Sequence, residues 1–176
     1  MAFNKFYLNE DLRRSWKDTP CVFISHQKKD ASECKVIADY LISVGINVYF
    51  DEYDKDLKIA VQTEKPKEVV NAIKKGINNS THMLCVISPN TLYSKWVPFE
   101  VGYGYDRTHL FALTLKGIKN EDLPDYIKAV PLLRDIYSIN NFIESFKNKI
   151  ILESRNIKLF SDYNHPLTNV MDKIII

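Results

Sequence analysis

The residues with the most chemical content lie in one stretch, S88-P-N-T-L-Y-S94-K-W96-V-P-F-E100. On a helix starting near Ser94, Trp96 and Glu100 are four apart and share a face. A carboxylate and a large aromatic plane would then project together, offering a ligand a charge and a stacking surface. Pro98 suits the first turn of a helix and not its middle, so Glu100 falls within the first two turns. There the helix dipole favours the ionised carboxylate. The pair also has an ordinary account, since Glu is common in first turns and a Trp near a helix start usually packs. No second acid, metal cluster or G-x-G-x-x-G accompanies it. Gly102 and Gly104 follow inside the helix, where they would permit close helix–sheet approach rather than phosphate binding.

The elements that must position these residues alternate along the chain. Cys21–Ser25 is a continuous apolar run, as a strand buried on both faces requires. Asp30–Val44 reads as a helix, with Asp30 and Glu33 spaced as a capping box and Gly45 as its stop. Cys34, Ile37, Ala38, Leu41 and Ile42 form its apolar stripe. Ile46–Phe50 is a second strand, and Pro66 opens a helix that Asn78 and Asn79 end. His82–Ser88 is a third strand, Ser94 to about Asp106 a third helix and His109–Leu115 a fourth strand. Asp135–Ile139 is expected to be a short fifth strand and Asn140–Glu153 the closing helix, with Leu123–Leu133 a short helix or turn.

Strand–helix alternation implies parallel pairing with right-handed crossovers. The expected fold class is α/β, a flavodoxin-like doubly wound sheet of five parallel strands in the order 2-1-3-4-5. In such a sheet the ligand crevice lies outside the carboxyl ends of the strands, where the order reverses between the first and third. That rule selects Ser25–Lys28, Asp51–Lys65 and Ser88–Glu100. The loop Tyr53–Lys65 has no Gly or Pro and is long for an α/β connection. It reads either as a lid or binding loop, or as an extra surface helix over Asp56–Gln62.

Composition bounds the rest. A chain of 176 residues with 12% aromatics is a folded domain rather than a disordered segment. Its 24 basic and 22 acidic residues nearly cancel, which argues against a dedicated nucleic-acid binder. No run approaches the length of a membrane helix, and the N-terminus has no signal-peptide apolar region. Cys21, Cys34 and Cys85 form no CxxC pair and read as buried thiols of a reducing, cytoplasmic setting. His26, His82, His109 and His165 make no metal-ligand pattern, so no metal is expected.

Three blocks together resemble the TIR (Toll/interleukin-1 receptor) domain family: V22-F-I-S-H26, V48-Y-F-D51 and C85-V-I-S-P-N-T-L-Y-S-K-W-V-P-F-E100. The resemblance implies a TIR domain over residues 20–153, an N-terminal extension 1–19 and a C-terminal extension 154–176. With no receptor, repeat or nuclease segment attached, the chain is expected to be a TIR acting alone. Many similar TIR domains cleave NAD, and their catalytic helix Glu maps onto Glu100. The resemblance then implies that Ser25, His26, Asp51, Tyr53, Ser94 and Trp96 line the NAD site, with NAD as substrate and no cofactor. Two departures stand out: His26 and Gln27 replace the family's frequent Tyr or Arg, and the loop after the second strand lacks its common Gly. The resemblance further implies self-association, an ADP-ribose or cyclic ADP-ribose product, and a role like that of bacterial anti-phage systems such as Thoeris, where a separate effector reads the signal. The alternatives are a non-catalytic TIR assembly module and, more remotely, an enzyme similar to nucleoside 2-deoxyribosyltransferases.

Overall fold

The computed structural model describes residues 20–51, 55–150 and 165–173. Five parallel strands form one sheet: β1 (Cys21–Ser25), β2 (Asn47–Tyr49), β3 (His82–Ile87), β4 (His109–Thr114) and β5 (Leu132–Leu133). Their order is β2-β1-β3-β4-β5, as expected. The helices are α1 (Ala31–Ser43), α2 (Lys55–Gln62), α3 (Pro66–Asn78), α4 (Val97–Gly104), α5 (Asp125–Lys128) and α6 (Ile136–Ile150).

Successive side chains of a strand point to opposite faces, so each buried strand feeds two cores. Val22, Ile24, Leu84, Val86 and Leu113 pack with Ile37 and Leu41 of α1 and with Phe142, Ile143 and Phe146 of α6. Cys21, Phe23, Met83, Cys85, Ile87 and Ala112 pack on the other face with α3, α4 and α5. Cys21, Cys34 and Cys85 are all buried thiols. Among the described residues no helix is long and apolar enough to cross a membrane.

Gly45 ends α1 as expected, in the left-handed region at φ 93°. Asp30 precedes α1 but gives it no side-chain cap, because its carboxylate is used elsewhere. The expected fifth strand at Asp135–Ile139 is corrected. Asp135 accepts the Ser138 N–H at 2.8 Å, and the Ser138 hydroxyl accepts the Asp135 N–H at 3.0 Å. This reciprocal cap starts α6 at Ile136. The strand lies just upstream, at the end of the stretch expected to be a short helix or turn, which holds α5, and there Leu132 and Leu133 pair with Ala112 and Leu113.

Residues 165–173 come from the stretch set apart in the sequence as a C-terminal extension, and they lie against the sheet. Leu167, Val170 and Met171 are buried in the core shared with α1 and α6. The Ile136 N–H donates to the Asp172 carbonyl at 3.0 Å and the Lys116 N–H to the Val170 carbonyl at 2.9 Å. His165 Nδ1 accepts the Leu167 N–H at 3.2 Å, so Nε2 carries the proton and faces the Tyr40 hydroxyl at 2.9 Å.

Candidate active site

The order of the sheet reverses between β1 and β3, and Ser25 is the last residue of β1, in register with Cys85 of β3. Helix α4 meets β1 at this point. Its first turn is set by Ser94, whose hydroxyl accepts the Trp96 and Val97 N–H groups at 3.3 and 3.1 Å. Ser94 therefore closes the turn that leads into the helix and is not its first residue, and α4 begins at Val97. Val97 and Val101 are buried against the sheet. A Cβ on Gly104 would strike the Met83 side chain, so Gly104 serves the close approach expected of it. Gly102 does not, because nothing lies within 4 Å of the Cβ it lacks.

This packing buries Glu100, which is 6% exposed. The Ser25 hydroxyl, itself 1% exposed, donates to Glu100 Oε2 at 2.5 Å. Among the described residues Oε1 has no hydrogen-bond partner. Burial pushes the Glu100 carboxyl up to about 8; the Ser25 hydrogen bond opposes this and the Asp51 charge adds to it. The helix dipole favours the ionised form, but burial outweighs it. A surface dipole contributes about 0.3–1 kcal/mol, well below the cost of withdrawing a carboxylate from water.

Asp51 follows β2 and is half-buried; His26 Nε2 stands 3.6 Å from its Oδ1. The His26 ring is buried and lies 5.0 Å from the Phe50 ring. Ser25, His26, Asp51 and Glu100 are thus gathered at the carboxyl ends of β1 and β2 and the start of α4. Trp96 is one helical turn before Glu100, whose N–H donates to the Trp96 carbonyl at 2.9 Å. It is 39% exposed, with its indole edge-on to Phe99 at 6.1 Å between ring centroids. Tyr53 lies outside the described residues. The long loop that contains it carries helix α2, the surface-helix alternative.

One part of the site was not foreseen. The Ser88 hydroxyl and the Asn90 amide donate to the two oxygens of Asp30 at 2.5 and 2.6 Å. Asp30, Ser88 and Thr91 are buried, so this network locks the turn after β1 to the turn after β3 across the reversal point. Its residue types are visible in the sequence, but Asp30 reads equally well as a helix cap. Cys85 was likewise read only as core. Burial pushes its thiol up, the Glu100 charge adds to this and the Ser25 hydroxyl opposes it, so it stays neutral beside the carboxylate. Among the described residues no three His, Cys, Asp or Glu side chains are grouped to hold a metal.

A carboxyl held by one oxygen at a reversal point is a place for a polar ligand group. The sequence model of the TIR domain matches residues 22–150. The chain belongs to the TIR domain family. Several curated proteins are similar to it in sequence over part of their length. The "2' cyclic ADP-D-ribose synthase BtTIR" of Bacteroides thetaiotaomicron is 27% identical over 154 residues, covering 82% of this chain and 50% of that protein. The "Probable 3' cyclic ADP-D-ribose synthase ThsB'" of Bacillus cereus is 29% identical over 83 residues, covering 47% of this chain and 42% of that protein. The chain spans half or less of the length of the curated relatives it matches. Among solved structures, the TIR domain of the Toll-related receptor TRR-2 from Hydra magnipapillata superposes with a TM-score of 0.53 at 15% identity. That match covers 77% of this chain and 98% of the receptor domain, and establishes likeness of fold alone.

Proposed function

We propose that this TIR domain cleaves NAD at the bond between nicotinamide and ribose, with Glu100 as the catalytic carboxylate. The observation that carries the reading is the buried Glu100 carboxyl, pinned through Oε2 at the reversal point while Oε1 has no partner among the described residues. Relatives named as cyclic ADP-D-ribose synthases add to it.

The chemistry needs little equipment. As the bond from ribose C1′ to the pyridinium nitrogen breaks, its electron pair goes to the nitrogen and nicotinamide leaves neutral. No general acid is required. Positive charge develops on the sugar, as in glycoside hydrolysis. A carboxylate hydrogen-bonded to the ribose diol would orient the sugar and stabilise that charge. Water attack at C1′, with loss of a proton, gives ADP-ribose. Attack by a hydroxyl or ring nitrogen of the same molecule gives a cyclic ADP-ribose. Trp96 and Ser94 at the start of α4, with His26, Asp51 and Tyr53, form the remainder of the proposed NAD site.

The test is to incubate purified protein with NAD and separate the products by chromatography with mass detection. Nicotinamide should appear with ADP-ribose or its cyclic isomer. Glu100→Gln should lower the rate by on the order of 10²–10³ or more. Equal rates for the variant and wild type would refute the assignment of Glu100. The wider reading is a self-associating TIR enzyme whose product signals to a separate effector in anti-phage immunity. It predicts that the product mixture activates such an effector and that activity rises with protein concentration.

A further inference from the structure

We propose that Ser25 is a positioning residue for Glu100, clamping one carboxylate oxygen against β1 so that the other meets the substrate. This rests on the reading that Glu100 is the NAD-cleaving carboxylate. The resemblance alone would place Ser25 against the substrate. The geometry assigns it a different partner.

A serine hydroxyl has a single proton to donate. Here that proton goes to Glu100 Oε2 at 2.5 Å, and both side chains are buried. Ser25 ends β1, an inner strand paired on both sides by β2 and β3, so its hydroxyl is held by the sheet. Glu100 follows only three residues after α4 begins, on a turn itself fixed by Ser94. The bond therefore joins two preset elements and leaves the carboxylate few rotamers. A carboxylate bound at one oxygen presents the other in a defined direction, as preorganised stabilisation of charge requires.

The groups around Glu100 can be named element by element. From β1 comes the Ser25 hydroxyl, and from β3 the neutral Cys85 thiol beside it. From the end of β2 comes Asp51, whose charge acts on Glu100 and which faces His26. Ser25 is the one that favours the ionised carboxylate, since burial and Asp51 both oppose it. Removing the hydroxyl should therefore loosen the carboxylate and make it harder to ionise.

The test compares wild type, Ser25→Ala and Ser25→Cys, the last under reductant because of Cys85. Ser25→Cys keeps the volume with a weaker donor. Nicotinamide release at pH 7 should fall about 10- to 100-fold in kcat for Ser25→Ala, with a smaller change in KM. The acid limb of its pH profile should move alkaline by about 1–2 units, and Ser25→Cys should fall between. A purely structural role would lower the yield of folded protein without moving the profile. A raised KM with an unmoved profile would make Ser25 a substrate contact and overturn the proposal. A readout independent of turnover is the carbon-13 titration of the Glu100 carboxyl, assigned by its loss in Glu100→Gln. Its midpoint should rise in Ser25→Ala, and an unchanged midpoint overturns the clamp even if NAD is cleaved. If wild type does not cleave NAD, the proposed function fails, while the titration still decides whether Ser25 holds Glu100.

Discussion

Ser25 and Glu100 lie 75 residues apart in the chain and share a 2.5 Å hydrogen bond inside the fold. The serine closes β1 and the glutamate lies in the first turn of the helix after β3, so the contact spans the point where the sheet reverses its order. The bond is short and buried, yet it does not overcome the cost of burying the carboxylate, which is pushed up to about 8.

Activity should follow that ionisation. The kcat/KM for NAD reports the free enzyme, so it should rise close to tenfold per pH unit and level off near pH 8. The limb in kcat should lie at lower pH, because the positive nicotinamide ring of bound NAD favours the carboxylate. Steady-state rates from pH 5.5 to 9.5 check this. A kcat/KM that is flat down to pH 5.5 would contradict a protonated Glu100 at neutrality.

Stability should run the other way. The Glu100 carboxyl has its ordinary value of 4.5 when unfolded and is pushed up to about 8 when folded, so the folded state holds the extra proton between these values. Its contribution is therefore fully present below about pH 4.5 and is lost as pH rises through about 8. Glu100→Gln carries no such charge. Its melting temperature should lie close to wild type at pH 5 and exceed it at pH 9 by on the order of 10 °C. Parallel melting curves at both pH values would show that Glu100 is not destabilised by burial.

Three helix glycines should respond differently to alanine. A Cβ on Gly76 of α3 would lie 2.6 Å from the Tyr49 ring and 2.9 Å from the Phe23 ring. Those rings are stacked at 5.3 Å between centroids and cannot easily yield. Gly76→Ala should therefore cost about 1–3 kcal/mol. Gly104→Ala meets only the flexible end of Met83 and should cost less. Gly102→Ala meets nothing within 4 Å and should stabilise by about 0.5–1 kcal/mol through helix propensity. Denaturant melts of the three variants check the ranking.

Leu167 tests whether the segment 165–173 belongs to the folding unit. It is fully buried with α1 and α6. Leu167→Ala should cost about 2–5 kcal/mol, as in any close-packed core, whereas a loosely attached tail would lose almost nothing. Urea unfolding of this variant separates the two.

Much of this was legible in the chain. The run from Met83 to Ile87 and the stripe Cys34–Ile37–Leu41 declare a buried strand and a helix because burial imposes a period on the side chains. Glu100 could be singled out, and its place within the first two turns of a helix read, from Pro98 and Ser94. The fifth strand escaped because two residues carry no period. Leu132 and Leu133 become a strand only by pairing with β4, and the Asp135–Ser138 exchange that starts α6 reads just as well as strand alternation.

What the sequence by itself determined is therefore the set of local preferences: which runs are apolar, where helices can start, and that a glutamate stands near the reversal point of a five-stranded sheet. What only the tertiary structure decided is the state of that glutamate. Its burial, its raised ionisation and its clamp by Ser25 depend on β1, β3 and α4 closing on one another. Desolvation and a single short hydrogen bond act over a few ångströms, and only folding brings residues 75 positions apart within that range.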